Sequence, residues 1–254
     1  MKITASSPSL LPVAQAWATA FGFEVVTSDA VSGWSLRVTD VHLELFSATK
    51  KQFAPVWVDF LQGKLSTRLR SSQGGRELLV RAVGVKSAYR PRVLDVTAGW
   101  GRDAFVLMTA GCEVMMLERD PMMAALLQDG LTRWSACVPA EEHSKLSLVF
   151  SEATHYLTQL TVLPDVIYLD PMYPVRHKSA RVKKEMQILQ EIMGYQQDVD
   201  VLFELALSKA KKRVVVKRPL KGDYLGGVQA DCQFLGKHTR FDVYLEGGNH
   251  VKSR

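Results

Sequence analysis

Residues 166–185 read VIYLDPMYPVRHKSARVKKE. Four apolar residues, Val166 to Leu169, run into Asp170-Pro171-Met172-Tyr173. Arg176, Lys178, Arg181, Lys183 and Lys184 then precede the next acid, Glu185. Those side chains could do chemistry together. Asp170 can accept N–H groups, Pro171 fixes the turn and leaves its carbonyl free, and Tyr173 offers a face on which a planar ring can stack. The plainer reading makes Asp-Pro the end of a buried strand and nothing more.

A second constellation lies upstream, in LDVTAGWGRDAF. Asp95 closes an apolar run, and Gly99 and Gly101 turn the chain sharply into a helix whose first N–H groups are free for a ligand. Glu118 lies 19 residues after Gly99, at the end of the next apolar run. A carboxylate there can accept both hydroxyls of a ribose. These residues predict a nucleoside-containing cofactor. Gly99-x-Gly101-x-x-Ala104 also fits the dinucleotide fingerprint, so the glycines alone leave NAD open. Asp95, four residues before Gly99, resembles the D/E-x-x-x-G-x-G pattern of class I methyltransferases and favours S-adenosylmethionine. So does the position of Asp170: the most distinctive chemistry follows the fourth strand, not the first.

Alternating elements must position these residues. Strands are expected at Val93–Val96, Glu113–Leu117, Leu146–Phe150, Val166–Leu169 and Arg213–Lys217, with helices between them. One helix spans Arg102–Ala110, and another starts at Asp120-Pro121 with Asp as cap and Pro in the first turn. Such alternation means a mostly parallel sheet covered by helices on both faces. DCQFLGKHTRFDVYLE closes it with an antiparallel hairpin that turns at Gly236–Thr239. Upstream, Pro12 opens a helix with Val13, Trp17 and Phe21 on one face, and Gly22 ends it. Strands follow at Phe23–Val26, Trp34–Val38, His42–Phe46 and Val56–Phe60, and a helix at Glu77–Val83. The chain thus divides into a small α+β, β-rich subdomain with a basic linker (1–75) and a larger α/β domain (76–254).

The protein has 254 residues and a net charge of +6. Residues 64–92 carry eight basic side chains against Glu77 alone, a local excess larger than that of the whole chain. With residues 176–184 and 209–221 they form three basic clusters, which favour an anionic partner. The three cysteines and six histidines are scattered, so neither a disulfide framework nor a metal site is expected, and the pattern fits a reducing cytoplasm. No apolar run nears the roughly 20 residues that cross a membrane. The N-terminal apolar stretch is broken by Ser and Pro and reads as a helix, not a leader.

Asp-Pro-Met-Tyr resembles the (D/N/S)-P-P-(Y/F/W) motif of methyltransferases that modify exocyclic amino groups of nucleobases, with Met172 in place of the second proline. DVTAGWGRDAFVL, LERDPMMAALLQDGL, YLDPMYP, KSARVKKEM and RVVVKRP together resemble the bacterial small-subunit ribosomal RNA methyltransferase J family, over roughly residues 55–245. The resemblance implies a class I, Rossmann-like methyltransferase fold and methylation of guanine N2 at position 1516 of 16S rRNA. It implies S-adenosylmethionine as cofactor and 16S rRNA or the small ribosomal subunit as partner. Carried over by motif, Asp95, Gly99, Gly101, Arg102, Asp103, Glu118, Arg119, Ala153, Thr154 and Asp170 hold the cofactor. Asp170, Pro171 and Tyr173 act on the base. Lys217, Arg218, Lys183, Lys184, Arg68 and Arg70 are expected on RNA phosphates. Adenine-N6 methylation, an NAD-dependent oxidoreductase and a non-catalytic RNA-binding module are the competing readings. The last two leave Asp-Pro-Met-Tyr without a task.

Overall fold

The computed structural model describes residues 1–27, 31, 33–50, 52–61, 73–171, 187–188, 191–192, 198–248 and 250, the last two pairs of short pieces included, with only the backbone of 73–77. Tyr173, Lys183, Lys184, Arg68 and Arg70 lie outside the described residues.

The N-terminal part is a four-stranded sheet with one helix. β1 (Lys2–Ala5) lies between β2 (Glu24–Val25) and β3 (Trp34–Val38), parallel to both, and β4 (Leu43–Ser47) pairs antiparallel with β3. Sequence reasoning missed β1, because four residues carry too little alternation to register. α1 (Leu11–Phe21) buries Ala14 and Ala18 and leaves Val13 exposed. The buried stripe is therefore rotated from the expected Val13–Trp17–Phe21 face, although Trp17 and Phe21 still pack against the core. Residues 56–60 are not a strand. Val56 makes a lone bridge to Leu45, and the segment then runs as an extended strap that buries Val58 and Phe60.

α2 (Gln73–Ala82) leads into the larger sheet, and the expected boundary at residue 75 falls inside it. The order then alternates: β5 (Arg92–Asp95), α3 (Arg102–Thr109), β6 (Glu113–Glu118), α4 (Pro121–Ser135), α5 (Ala140–His143), β7 (Leu146–Phe150), α6 (Ala153–Gln159), β8 (Val166–Leu169), α7 (Val199–Lys209) and β9 (Arg213–Pro219). β10 (Cys232–Leu235) and β11 (Thr239–Leu245) form the expected hairpin, closed by the Gly236 N–H on the Thr239 carbonyl. The sheet order is β10-β11-β9-β8-β5-β6-β7, with β5 to β9 parallel and β11 antiparallel to β9. Every residue of β8 is buried, as a central parallel strand requires.

The chain leaves β5 toward β6 and β7, then crosses back to β8 on the other side of β5. The order reverses between β5 and β8, and ligands of open α/β sheets bind at that crevice, outside the carboxyl ends of the strands. The strap brings the N-terminal part to the same region. Phe60 stacks on Phe105 of α3 (centroids 4.9 Å apart), and the Arg133 guanidinium of α4 donates to the Val58 carbonyl. Buried residues of both parts form one continuous core.

Candidate active site

The crevice between β5 and β8 is cross-tied. The Val96 N–H donates to the Tyr168 carbonyl at 3.1 Å, and the Asp170 N–H donates to Thr97 Oγ1 at 2.7 Å. Thr97 also donates its own N–H to Asp95 Oδ1 at 3.0 Å. Asp170 is thus held by its backbone to the loop after β5, not by its strand alone. Its side chain keeps 36% of its surface exposed, whereas Pro171 behind it is buried. The strand-terminator reading does not account for a carboxylate fixed at the switch point and still open to ligand.

The carboxylate is not isolated. Lys217, near the end of β9, donates to Asp170 Oδ2 and to Asp103 Oδ2, each at 2.8 Å. Asp103, in the first turn of α3, also receives the buried Tyr168 hydroxyl at 2.6 Å. Burial opposes the Asp103 charge, but the Lys217 ammonium and these hydrogen bonds outweigh it and hold the carboxyl below its usual range. For Asp170 burial wins: with the repulsion of Asp103 it lifts the carboxyl above its usual range against the pull of Lys217. Asp95, fully enclosed, is pushed up to about 8, chiefly by burial, with Asp103 and Asp170 adding to it. Lys217 itself is raised by Asp170 and Asp103 against its own desolvation, so it stays charged.

At the end of β6, Glu118 is buried and its carboxyl is pushed up to about 7 by desolvation. Its oxygens receive the Gly99 N–H at 3.1 Å and the Asp120 N–H at 2.8 Å. The glycine turn is therefore shaped by this carboxylate. Gly101 caps α3 at φ 68°, and a Cβ there would sit 2.8 Å from Leu127 and 3.1 Å from Phe60. That glycine thus serves both the turn and the packing beneath the loop. Between the two glycines, the indole N–H of Trp100 is buried with no hydrogen-bond partner among the described residues. Past Glu118, where the chain enters α4 and leaves β7, lies a cavity of about 430 Å³ lined by Arg119, Asp120, Pro121, Phe150, Ser151, Glu152 and Ile192.

This arrangement fits S-adenosylmethionine. A buried carboxylate at the second strand end suits a ribose, the residues that follow it line a cavity of nucleoside size, and Trp100 in the glycine turn keeps an indole donor unpartnered among the described residues. Arg102 is exposed beside Asp103. The adenine side differs from expectation. Ala153 is packed in the core, and the Thr154 hydroxyl is turned onto Glu152, whose carboxylate caps α6 by accepting the His155 N–H. Ser151 and Glu152 reach the cavity instead.

Arg218 is buried in the sheet, opposite Arg240, and is not offered on the surface as a phosphate contact would be. Lys217 is bound into the carboxylate cluster. The cluster 209–221 is also split by the strand. Lys209, Lys211, Lys212 and Arg213 stand before or at the start of β9, on the sheet edge opposite the site, and Lys212 lies 3.9 Å over the Tyr89 ring. Only Lys217, Arg218 and exposed Lys221 are at the carboxyl edge. Thr97 and Tyr168 were missed as site residues. The available signal was their position within two residues of a strand-end acid. Among the described residues no group of His, Cys, Asp or Glu side chains could hold a metal, and no helix is long and apolar enough to cross a membrane.

The chain resembles known proteins along most of its length. Residues 16–246 match a family described as "Putative SAM-dependent methyltransferase". The chain is 46% identical over 246 residues to ribosomal RNA small subunit methyltransferase J of Coxiella burnetii (strain Dugway 5J108-111), covering 96% of both chains. It is 41% identical to the protein of that name from Proteus mirabilis (strain HI4320), over 94% of this chain and 95% of the other. A solved SAM-dependent methyltransferase from Neisseria gonorrhoeae superposes with a TM-score of 0.75 at 34% identity, covering 98% and 97% of the two chains. With the glycine turn, the Glu118 carboxylate and the switch-point aspartate on one sheet edge, and this similarity along nearly its whole length, the chain is an S-adenosylmethionine-dependent methyltransferase and belongs to the ribosomal RNA small subunit methyltransferase J family.

Proposed function

We propose that the chain methylates the exocyclic N2 of a guanosine in 16S rRNA, at position 1516 by the family resemblance, in the cytoplasm where small subunits are assembled. The observation that carries the reading is Asp170: backbone-anchored to Thr97, one oxygen held by Lys217, and its side chain still partly exposed. The relatives' printed name supports the RNA class. S-adenosylmethionine, when bound, supplies the electrophilic methyl carbon. The residues do the rest. A guanine amine is a poor nucleophile because its lone pair is delocalised into the ring. Asp170 and the Pro171 carbonyl accept its N–H groups, favour a more tetrahedral nitrogen and aim the lone pair. With the cofactor bound, its S–C bond would break as the N–C bond formed, and the surplus proton would leave only once the nitrogen had become acidic, so no strong base would be needed. Tyr173 stacks on the base once it is out of its helix.

Mass spectrometry of rRNA nucleosides from a strain lacking the protein tests this. N2-methylguanosine at that position should disappear, return with the wild-type chain and stay absent with Asp170→Asn. Its persistence in the deletion strain, or loss of N6-methyladenosine instead, overturns the reading.

A further inference from the structure

Lys217 invites the assumption of a phosphate contact, since it opens the Lys-Arg-Pro end of β9 at the sheet edge of an RNA-modifying enzyme. Its surroundings contradict that role. Its side chain is 25% exposed, and its ammonium spans two carboxylates, Asp103 Oδ2 and Asp170 Oδ2, at 2.8 Å each. Among the described residues, the groups facing Asp170 are Lys217 on β9, Asp103 on α3 with Arg102 beside it, Asp95 on β5, and Tyr168 on its own strand. The contacts on Asp103 Oδ2 are the Tyr168 hydroxyl and Lys217. Among the described residues, Lys217 is the cation that touches both Asp103 and Asp170. Three carboxyl groups from three elements meet at the reaction edge, and one ammonium is shared between two of them.

We propose that Lys217 is a positioning residue for methyl transfer, a fixed internal counter-ion that pins Asp170 Oδ2 and keeps the carboxylate charged, so that Oδ1 is left to receive the target amine. This rests on the reading that Asp170 holds that amine. The ammonium has three donors, and two are spent on Asp103 and Asp170. Engaging an RNA phosphate would cost one of these contacts. Asp103 is the second anchor: itself fixed by Tyr168, it sets where the ammonium stands. Burial and Asp103 both favour the protonated form of Asp170, and Lys217 opposes them. Without Lys217 the carboxyl therefore titrates at higher pH and presents a proton where an acceptor is needed.

Two variants with opposite expected signs test this. Lys217→Met removes the charge and keeps the length. Asp103→Asn removes the competing carboxylate and leaves Lys217 to Asp170. Carbon-13 NMR of labelled aspartate carboxyls, assigned with Asp170→Asn, should move the Asp170 midpoint up in Lys217→Met and down in Asp103→Asn. If Lys217→Met does not fold, the Asp103→Asn shift still decides. In single-turnover assays on 16S rRNA, Lys217→Met should slow methyl transfer about 10²-fold near pH 7, comparable to losing one preorganised electrostatic contact. The acid limb of its pH–rate profile should shift upward. The double variant Lys217→Met/Asp170→Asn should be no slower than Asp170→Asn alone, because both changes act through one group. The salt dependence of RNA affinity should stay as in the wild type. Unmoved midpoints, losses that multiply in the double variant, or a log–log salt slope smaller by roughly 0.7–0.9 with an unshifted pH profile would each overturn the proposal, the last marking a phosphate contact. The NMR arm needs no RNA. If wild-type protein leaves guanine N2 unmethylated, the functional reading fails while the Asp170–Lys217 coupling is still measured.

Discussion

At the scale of single residues, the site is a contest between desolvation and compensation. Asp170 and Glu118 sit at strand ends of one edge, and burial pushes both carboxyls up. They differ in what offsets it: an ammonium for Asp170, backbone N–H groups for Glu118. Asp170→Asn presents an N–H where an acceptor is required and should lower the single-turnover rate by about 10²–10³. A wild-type rate in a folded Asp170→Asn variant would return Asp-Pro to a strand terminator. Glu118 carries a sharper pH prediction. Its free carboxyl is pushed up to about 7, and ribose hydroxyls donate best to the ionised form. Affinity for S-adenosylhomocysteine should therefore fall as pH drops through that value, approaching tenfold per unit below it. Calorimetry between pH 5.5 and 8.5 reads this, and Glu118→Gln should bind more weakly with a flat profile. A steep profile that survives in the variant would assign the titration elsewhere.

At the scale of elements, loops are set by what lies beneath them. The turn before α3 needs φ 68° at Gly101 and leaves no room for a Cβ against Leu127 and Phe60. Gly101→Ala should destabilise the protein by about 1–3 kcal/mol, read as a lower denaturant midpoint at unchanged slope. A variant as stable as wild type would mean that Leu127 and Phe60 yield freely. The turn after β9 is set from across the sheet instead. Arg240 pairs with Asp242 and donates to the carbonyls of Pro219, Leu220 and Gly222, so the chain beyond Lys217 is fastened to β11. A lysine could not reproduce that fork, because it lacks the planar set of donors.

At the scale of the whole molecule, the N-terminal sheet is bound into the catalytic domain through the strap. Phe60 is 3% exposed against Phe105, and Val58 presses on Gly130, where a Cβ would meet it at 2.6 Å. Phe60→Ala should cost about 3–5 kcal/mol and lower a single melting transition seen alike by far-ultraviolet dichroism and tryptophan fluorescence. Two separated transitions would show that the parts fold independently. Global stability also depends on a site group. Asp95 has an ordinary value of 3.8 and is pushed up to about 8 by burial, then by Asp103 and Asp170. Between these values the folded state holds a proton that the unfolded state has lost, so stability falls as pH rises through that window. Asp95→Asn removes the penalty. Its melting temperature should exceed the wild type's by several degrees at pH 8, and the gap should close toward pH 5. A gap that is constant with pH would mean Asp95 is ionised in the fold throughout.

Local rules carry far along this chain. Apolar runs bounded by Gly, Asp and Pro mark the five parallel strands, and polar Gly236–Thr239 marks the hairpin, because strand burial and turn chemistry are written in neighbouring residues. For the same reason Asp95, the glycine turn, Glu118 and Asp170 are legible as a set: each stands at a strand end, and a parallel α/β sheet brings strand ends to one edge. Partnerships across that edge are another matter. Lys217 is 47 residues from Asp170 and 114 from Asp103, and Thr97 is 73 from Asp170. A basic run looks the same in sequence whether it faces solvent or a carboxylate of the site. Only the strand order, which sets β9 beside β8 and β8 beside β5, turns Lys217 from a surface charge into the counter-ion of the site. It also buries Arg218 and sends Lys211 and Lys212 to the opposite edge. Residue type and spacing determined the fold class and the cofactor, and singled out Asp170 as the candidate carboxylate. Which charge neutralises that carboxylate was decided by tertiary structure, because electrostatic partnership depends on distance in space and on burial, and neither is a property of neighbours in the chain.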